Sequence, residues 1–405
     1  MARKFVAPEI YDIMNKVAEM LVTNQSGHVR EVCRAIYLQF LLDYPQGRGR
    51  LRDSLAFLAK NLSYEYESGR LSVLELVSAI LQKFAAQLIK ESADLFFVAL
   101  VMVVANDDST RCREMAAELV KVLFSRVEKD TRETLLAMLT TWAGKKAQPQ
   151  LARTAIQLFG VAIDALGEDG RSAVPGVVDI LLDVLVDSEE KLEEAERDGE
   201  EVEEVERAWQ LPYQALQTFA HVYKAFPSMV SPDDRSHHPL WKAVRGHLLY
   251  PHLWVRTSSA RLLGTLFAAS QDAIAKADLP ERHPLATPNL LDMAQKSCLQ
   301  LKSPALDDGL AMQIVKNLFF AAKCFAVRGL SAHKNENGDA GSDDDEEEDS
   351  KGADAERHAD PLRWLFTRMS FQCRQAHTHR PSMYAQDAVR CPPPLSRSLP
   401  SVAHD

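Results

Sequence analysis

Four histidines, His237, His238, His247 and His252, fall within 16 residues. Imidazoles so grouped could hold a divalent metal if their ring nitrogens converged. They straddle one predicted helix and its two end loops, so the spacing favours histidines at helix ends or on the surface. Cys373, His377, His379 and Cys391 also carry ligand atoms, but in a spacing that matches no familiar zinc finger. No metal site is expected from either group. Phosphate contact is a second kind of chemistry. Arg48, Arg50 and Arg52 form a small basic loop between predicted helices, and Lys145 and Lys146 form another. Cations at loop tips can reach a nucleic-acid backbone. For each loop taken singly, a solvated inter-repeat turn is the preferred reading. Ser342 precedes three aspartates and suits an acid-directed kinase, while Ser350 follows the same acidic run.

Catalytic signatures are missing from the sequence. It contains no phosphate-binding glycine loop of the Walker type, no GxGxxG, no GxSxG and no HExxH. The expectation is a non-enzyme without cofactor or small-molecule substrate. Phe96, Phe97, Phe319 and Phe320 stand at helical core spacing and read as packing residues.

The elements that must position these residues are helices. Apolar residues recur at i, i+3, i+4 and i+7, and short helices of this kind need neighbours to bury that face. One pattern repeats: from an anchor, apolar or small residues follow at +2, +3, +6 and +10. The anchors are Arg30, Arg70, Arg113, Arg153, Tyr213, Arg256 and Gly309, spaced 40, 43, 40, 60, 43 and 53 residues apart. HEAT and armadillo units run ~40–47 residues. The 60-residue gap holds the acidic stretch 187–206, and the 53-residue gap holds Pro280, Pro284, Pro288 and Pro304, so each is read as a normal unit plus a loop insertion. Preceding helices are predicted at 8–23, 51–62, 92–105, 131–143, 173–186, 238–249 and 289–301. The basic anchor opening each second helix is expected to pair with an acid in the preceding turn, Asp107 or Asp108 serving Arg113.

The predicted fold is therefore all-α: a HEAT/armadillo-like α-solenoid over 1–332 with acidic disordered insertions. A low-complexity acidic loop follows at 333–359, then a further helix at 360–378 and an atypical tail at 379–405. The formal charge is −10, but residues 187–206 and 336–356 each contribute −10, so the remainder carries +10. A mildly basic body suits an anionic partner such as RNA. The six cysteines form no CxxC pair, which predicts a reducing compartment without disulfides. The longest apolar run, Leu95 to Ala105, is 11 residues, whereas a membrane span takes ~20, so a buried core helix is expected.

Particular strings add a resemblance. They are Arg3-Lys4-Phe5-Val6-Ala7-Pro8-Glu9-Ile10-Tyr11-Asp12, Tyr37-Leu38-Gln39-Phe40-Leu41-Leu42-Asp43-Tyr44-Pro45, and Lys60-Asn61-Leu62-Ser63-Tyr64-Glu65-Tyr66-Glu67-Ser68-Gly69-Arg70. Asn106-Asp107-Asp108-Ser109-Thr110-Arg111-Cys112-Arg113 and Pro361-Leu362-Arg363-Trp364-Leu365-Phe366 complete the set. Over roughly residues 3–376 the chain resembles the C-terminal portion of the small-subunit processome component 20 family, also called down-regulated in metastasis. The resemblance implies a long nucleolar helical-repeat scaffold acting in pre-ribosomal RNA processing toward the 18S species. It also implies partnership with the box C/D guide RNA particle and small-subunit assembly factors, and it carries over no catalytic residue. The chain is then expected to be part of a longer array, with apolar surface exposed at one or both ends. The alternative is a HEAT-repeat transport receptor or adaptor that binds only proteins. Salt-sensitive RNA binding favours the first reading, and capture of a basic peptide by the acidic stretches favours the second.

Overall fold

The computed structural model describes residues 7–145, 147–198, 208–302, 306–336 and 360–369. No strand occurs among them. Fifteen helices follow in order: α1 (Pro8–Thr23), α2 (Gly27–Asp43), α3 (Arg48–Asn61), α4 (Glu67–Lys83), α5 (Ala86–Glu91), α6 (Ala93–Asn106), α7 (Thr110–Arg126) and α8 (Lys129–Ala143). Then come α9 (Pro149–Leu166), α10 (Val174–Asp198), α11 (Gln210–Ala225), α12 (His238–Gly246), α13 (Leu253–Ala269), α14 (Thr287–Gln300) and α15 (Asp308–Glu336). Residues 361–369 are also helical. The chain divides into two compact bodies, one of residues 1–271 and 278–289, the other of 272–277 and 290–405.

Local chemistry explains the boundaries. Pro8 and Pro149 stand at first helical positions, where the missing N–H costs nothing. Ser109 caps α7 by accepting from Cys112 N at 3.3 Å. Gly167 ends α9 at φ +52°, a conformation that side chains other than glycine's rarely adopt.

In the first body the helices pair as predicted, α1 with α2, α3 with α4, α6 with α7 and so on, and successive second helices pack side by side from α2 to α13. The anchors fall at the fourth or fifth residue of each second helix. The positions +3, +6 and +10 from each of Arg70, Arg113, Arg153, Tyr213 and Arg256 are buried, for example Ile156, Phe159 and Ile163 in α9. Cys33 and Cys112 are buried free thiols, as are Cys298 and Cys324 in the second body. The fold is an all-α array of HEAT type.

Three expectations require correction. The acidic stretch 187–206 is not wholly an inserted loop, because α10 runs through Asp198. Leu181, Leu185, Ser188 and Ala195 keep a buried stripe going while Asp187 and Lys191 pair at 2.7 Å on the outer face. Residues 199–207 lie outside the described set. In the second body, the anchor of α15 is Ala311 rather than Gly309. The buried register is Ile314, Asn317 and Ala321, which leaves Met312 59% and Phe319 64% exposed. Finally, α15 continues to Glu336, past the predicted loop start at 333. Residues 337–359 and 370–405, including Ser342, Ser350, Cys373, His377, His379, Cys391 and the predicted tail, lie outside the described residues.

Apolar side chains are exposed in both bodies. Ile13, Met20, Val32 and Ile36 are exposed on α1 and α2, as are Met312, Val315 and Phe319 on α15 and Phe366 beyond it. By length and composition alone the 22-residue segment Asp308–Gly329 would cross a membrane. Here it is a repeat helix. Leu310, Ile314, Leu318 and Cys324 are buried, and the Arg328 Nη2 donates to Ala273 O at 3.0 Å.

Candidate nucleic-acid interface

The anchor arginines have a common duty. In each helix pair the turn leaves carbonyls without a backbone donor. Arg30 Nη1 donates to the carbonyls of Asn24 and Gln25 at 2.6 and 3.1 Å. Arg70 Nη1 reaches those of Tyr64 and Glu65, both at 2.9 Å. Arg113 Nη1 reaches those of Asp107 and Asp108 at 2.6 and 3.0 Å, and Arg256 Nη1 those of Tyr250 and Pro251 at 2.9 and 2.5 Å. A planar guanidinium has the forked donors this needs. The predicted Asp–Arg pairing within one turn is therefore wrong. Arg113 takes the carbonyls, whereas the carboxylates of Asp107 and Asp108 turn to Arg70 of the preceding repeat. Arg70 Nε and Nη2 grip Asp107 at 2.8 and 2.9 Å, and Nη2 meets Asp108 at 2.6 Å.

The predicted phosphate contacts lie in different repeats. Arg48, Arg50 and Arg52 are not in a loop; they form the first turn of α3, and the loop is shorter, ending at Gly47. That turn has no acid, so the arginines add to the positive end of the helix dipole. Arg50 lies over the Tyr11 ring, 4.0 Å from its centroid. Arg52 is exposed, and the Arg48 side chain lies outside the description. Lys145 is exposed in the α8–α9 turn, while Lys146 lies outside the described residues.

The histidines do not converge. His238 is buried and its Nε2 sits 2.9 Å from Pro232 O. His247 is buried between Ala243 O at 2.7 Å and Ser188 Oγ at 2.7 Å. His252 caps α13, and His237 is half-buried. All four are at helix ends, but two are interior rather than on the surface. No group of three or more metal-ligating side chains occurs among the described residues.

Arg153 departs from the other anchors. Its hydrogen bond among the described residues goes to Gln210 Oε1, not to the preceding turn, where Gln148 takes φ −129° and ψ 70° before Pro149. Burial, then the charge of Arg113, pulls its pKa below the ordinary arginine value. Both arginines border two clefts. One, of about 420 Å³, is also lined by Glu114, Glu118, Lys121 and Asp164. The other, of about 390 Å³, is lined by Asn106, Gln157, Gln210, Gln214, Trp209 and Tyr213 among others. Trp209 continues into an aromatic cluster. It stacks on His252 at 4.0 Å between centroids, and meets Trp254 edge-on at 4.9 Å and Tyr213 at 5.6 Å.

No family model matches the chain. It is 35% identical over 327 residues to U3 small nucleolar RNA-associated protein 20 of Schizosaccharomyces pombe, a match covering 80% of this chain and 13% of that protein. It is 31% identical over 322 residues to U3 small nucleolar RNA-associated protein 20 of Saccharomyces cerevisiae, covering 78% of this chain and 12% of that one. The chain belongs to this family. It spans 12–13% of the length of these curated relatives.

For this family member, the residues that reading along the chain passed over are Arg153 as a departure from the anchor pattern, and the cluster of Trp209, Tyr213 and Trp254. Arg153 looks like the other anchors in sequence, and only the changed turn before α9 releases it. The tryptophans are 45 residues apart and meet because α11 and α13 are neighbours. A tryptophan within two residues of the start of successive second helices, Trp209 just before α11 and Trp254 second in α13, is the one signal that could have found them.

Proposed function

We propose that this chain is a non-catalytic scaffold segment of the small-subunit processome, acting in the nucleolus in pre-ribosomal RNA processing toward 18S RNA. Its partners on this reading are pre-ribosomal RNA, the box C/D guide RNA particle and small-subunit assembly factors. The observation that carries it is the 31–35% identity over about four fifths of the chain to two proteins named for association with U3 small nucleolar RNA. The all-α array supports it, since stacked helix pairs offer an extended surface for several partners at once. The absence of catalytic signatures from the sequence points the same way. Arg48, Arg50 and Arg52 at the start of α3, and Lys145 and Lys146 before α9, are proposed phosphate contacts. Crosslinking with RNA sequencing on the tagged chain in cells tests the reading. Enrichment of pre-ribosomal RNA and of small-subunit assembly factors is expected. Recovery of protein cargo without ribosomal RNA would overturn it in favour of a transport receptor or adaptor.

A further inference from the structure

Most arginines at the repeat anchor are tied through Nη1 to carbonyls of their own turns. Arg153 is not, and it stands where the N-terminal turns of α7, α9 and α11 meet. A guanidinium has five N–H donors. Arg113 uses three, on the carbonyls of Asp107 and Asp108 and on Thr110 Oγ1. Arg153 uses one, on Gln210. Neither has a carboxylate partner among the described residues. Asp107, the one acidic residue lining the amide-lined cleft, is held by Arg70 and by Ser109 N, at 2.8 Å from each. Two like charges therefore share one half-buried place, with six donors unspent between them. The helix N-termini around them add positive potential. A bound anion would relieve this repulsion.

The surroundings say which anion. In the neighbouring cleft Glu114, Glu118 and Asp164 offset the same two arginines and Lys121, so its lining has no net positive charge to hold a phosphate. The other cleft offers neutral amides: Gln157 and Gln214 have no protein hydrogen-bond partner among the described residues. Trp209 and Tyr213 form its wall and lead to Trp254, which is 54% exposed and whose edge already rests on Trp209. An acidic or phosphorylated peptide would use the arginines and, through its backbone, the amides, but it brings no planar base to the open indole. Single-stranded RNA offers all three partners, a phosphate, a base face and a polar base edge.

We propose that the cleft bounded by Arg113, Arg153, Gln157 and Gln214, with the adjoining Trp209–Tyr213–Trp254 cluster, binds single-stranded RNA. The two arginines hold one phosphate and Trp254 stacks a base. The assignment rests on the reading of the chain as an RNA-associated scaffold and names the face it uses. It is tested on the full chain by fluorescence anisotropy with a labelled oligouridylate of about 12 nucleotides in about 50 mM salt. Arg153→Gln is expected to weaken binding about tenfold or more and to flatten the salt dependence by about 0.7 in the log–log slope. Trp254→Ala, at a site 54% exposed, is expected to weaken it about fivefold to a hundredfold while the helical circular dichroism stays that of the wild type. Bound RNA should also quench tryptophan emission in the wild type. If RNA binds and both variants match the wild type, the assignment is overturned while the scaffold reading stands. It is equally overturned if the wild type leaves the oligonucleotide unbound, or if a phosphoserine peptide displaces it more effectively than unlabelled RNA; cellular crosslinking then decides the broader reading separately.

Discussion

Arg70→Met should break the junction between α4 and α7. Arg70 is 7% exposed, and the Asp107 side chain it grips is 3% exposed. The two carbonyls it caps, of Tyr64 and Glu65, sit on half-buried and exposed residues, so water replaces the arginine there at little cost. Asp108 is 90% exposed on its side chain and contributes little for the same reason. The loss therefore falls on Asp107, left as a buried carboxylate with the Ser109 N–H as its remaining donor. Removing one partner of a buried ion pair costs about 3–5 kcal/mol. The surviving Ser109 bond puts this case at the lower end, ~3 kcal/mol.

A repeat array need not unfold in one step, so the measurement should be local. Hydrogen exchange of peptides covering α4 and α7 should accelerate more than about a hundredfold in Arg70→Met, since each 1.4 kcal/mol is tenfold. Replacing both partners, Arg70→Met with Asp107→Leu, removes the stranded charge and should restore most of the protection. A coupling of about 2 kcal/mol between the two sites is expected. Acceleration below about fivefold in the single variant, or strictly additive effects in the double, would refute the argument that the inter-repeat pair holds this junction.

Three other perturbations follow from the packing. Gly69→Ala places a methyl group 2.5 Å from both Val22 O and the Tyr64 ring, so the α1–α4 contact should lose about 1–3 kcal/mol; an unchanged urea midpoint would contradict the close approach. Burial pushes the Cys298 thiol up to about 11, so it should resist maleimide at pH 8 while the array is folded and react once urea unfolds it. The Lys90 ammonium, 2.7 Å from Glu128, lowers that carboxylate's pKa by its hydrogen bond and then by its charge. Glu128 therefore stabilises the fold above the ordinary glutamate value of about 4.3, and loses that effect as pH falls through its lower folded value. The difference in urea midpoint between the wild type and Glu128→Gln should be present at pH 7 and vanish near pH 3.

Local rules made the helices legible. Helix α1 was expected at 8–23 and is Pro8–Thr23, because Pro8 starts it and the polar Asn24–Ser26 turn stops it. The repeat spacing located α2, α4, α7, α9, α11 and α13, since each anchor stands one turn inside its helix. What failed needed geometry between repeats. Asp107 and Arg113 are near in sequence, so a pair was expected, but the guanidinium satisfies carbonyls first and the carboxylates turn to Arg70 of the preceding repeat. Charge misled in α10, where Leu181, Leu185, Ser188 and Ala195 hold the helix beneath an acidic outer face. In α15 Gly309 fits the offsets and Ala311, with Gln313 at +2 and Asn317 at +6, does not, yet burial places Phe319 outside and Asn317 inside.

The same lesson applies to the basic body. A surplus of ten cations outside the acidic stretches looks like a broad surface for a polyanion. Yet Arg30, Arg70, Arg113 and Arg256 each commit Nη1 to the carbonyls of a turn, and Arg34, Lys90 and Arg132 face Glu75, Glu128 and Asp169 at 2.6 to 2.8 Å. Cations already paired within the protein release few counterions when RNA arrives, so the salt dependence of binding should be shallow for so basic a body. Recognition then depends on the few donors the repeat leaves unspent. The changed turn before α9 matters for that reason, because it turns an arginine used to close a repeat into one available to a ligand.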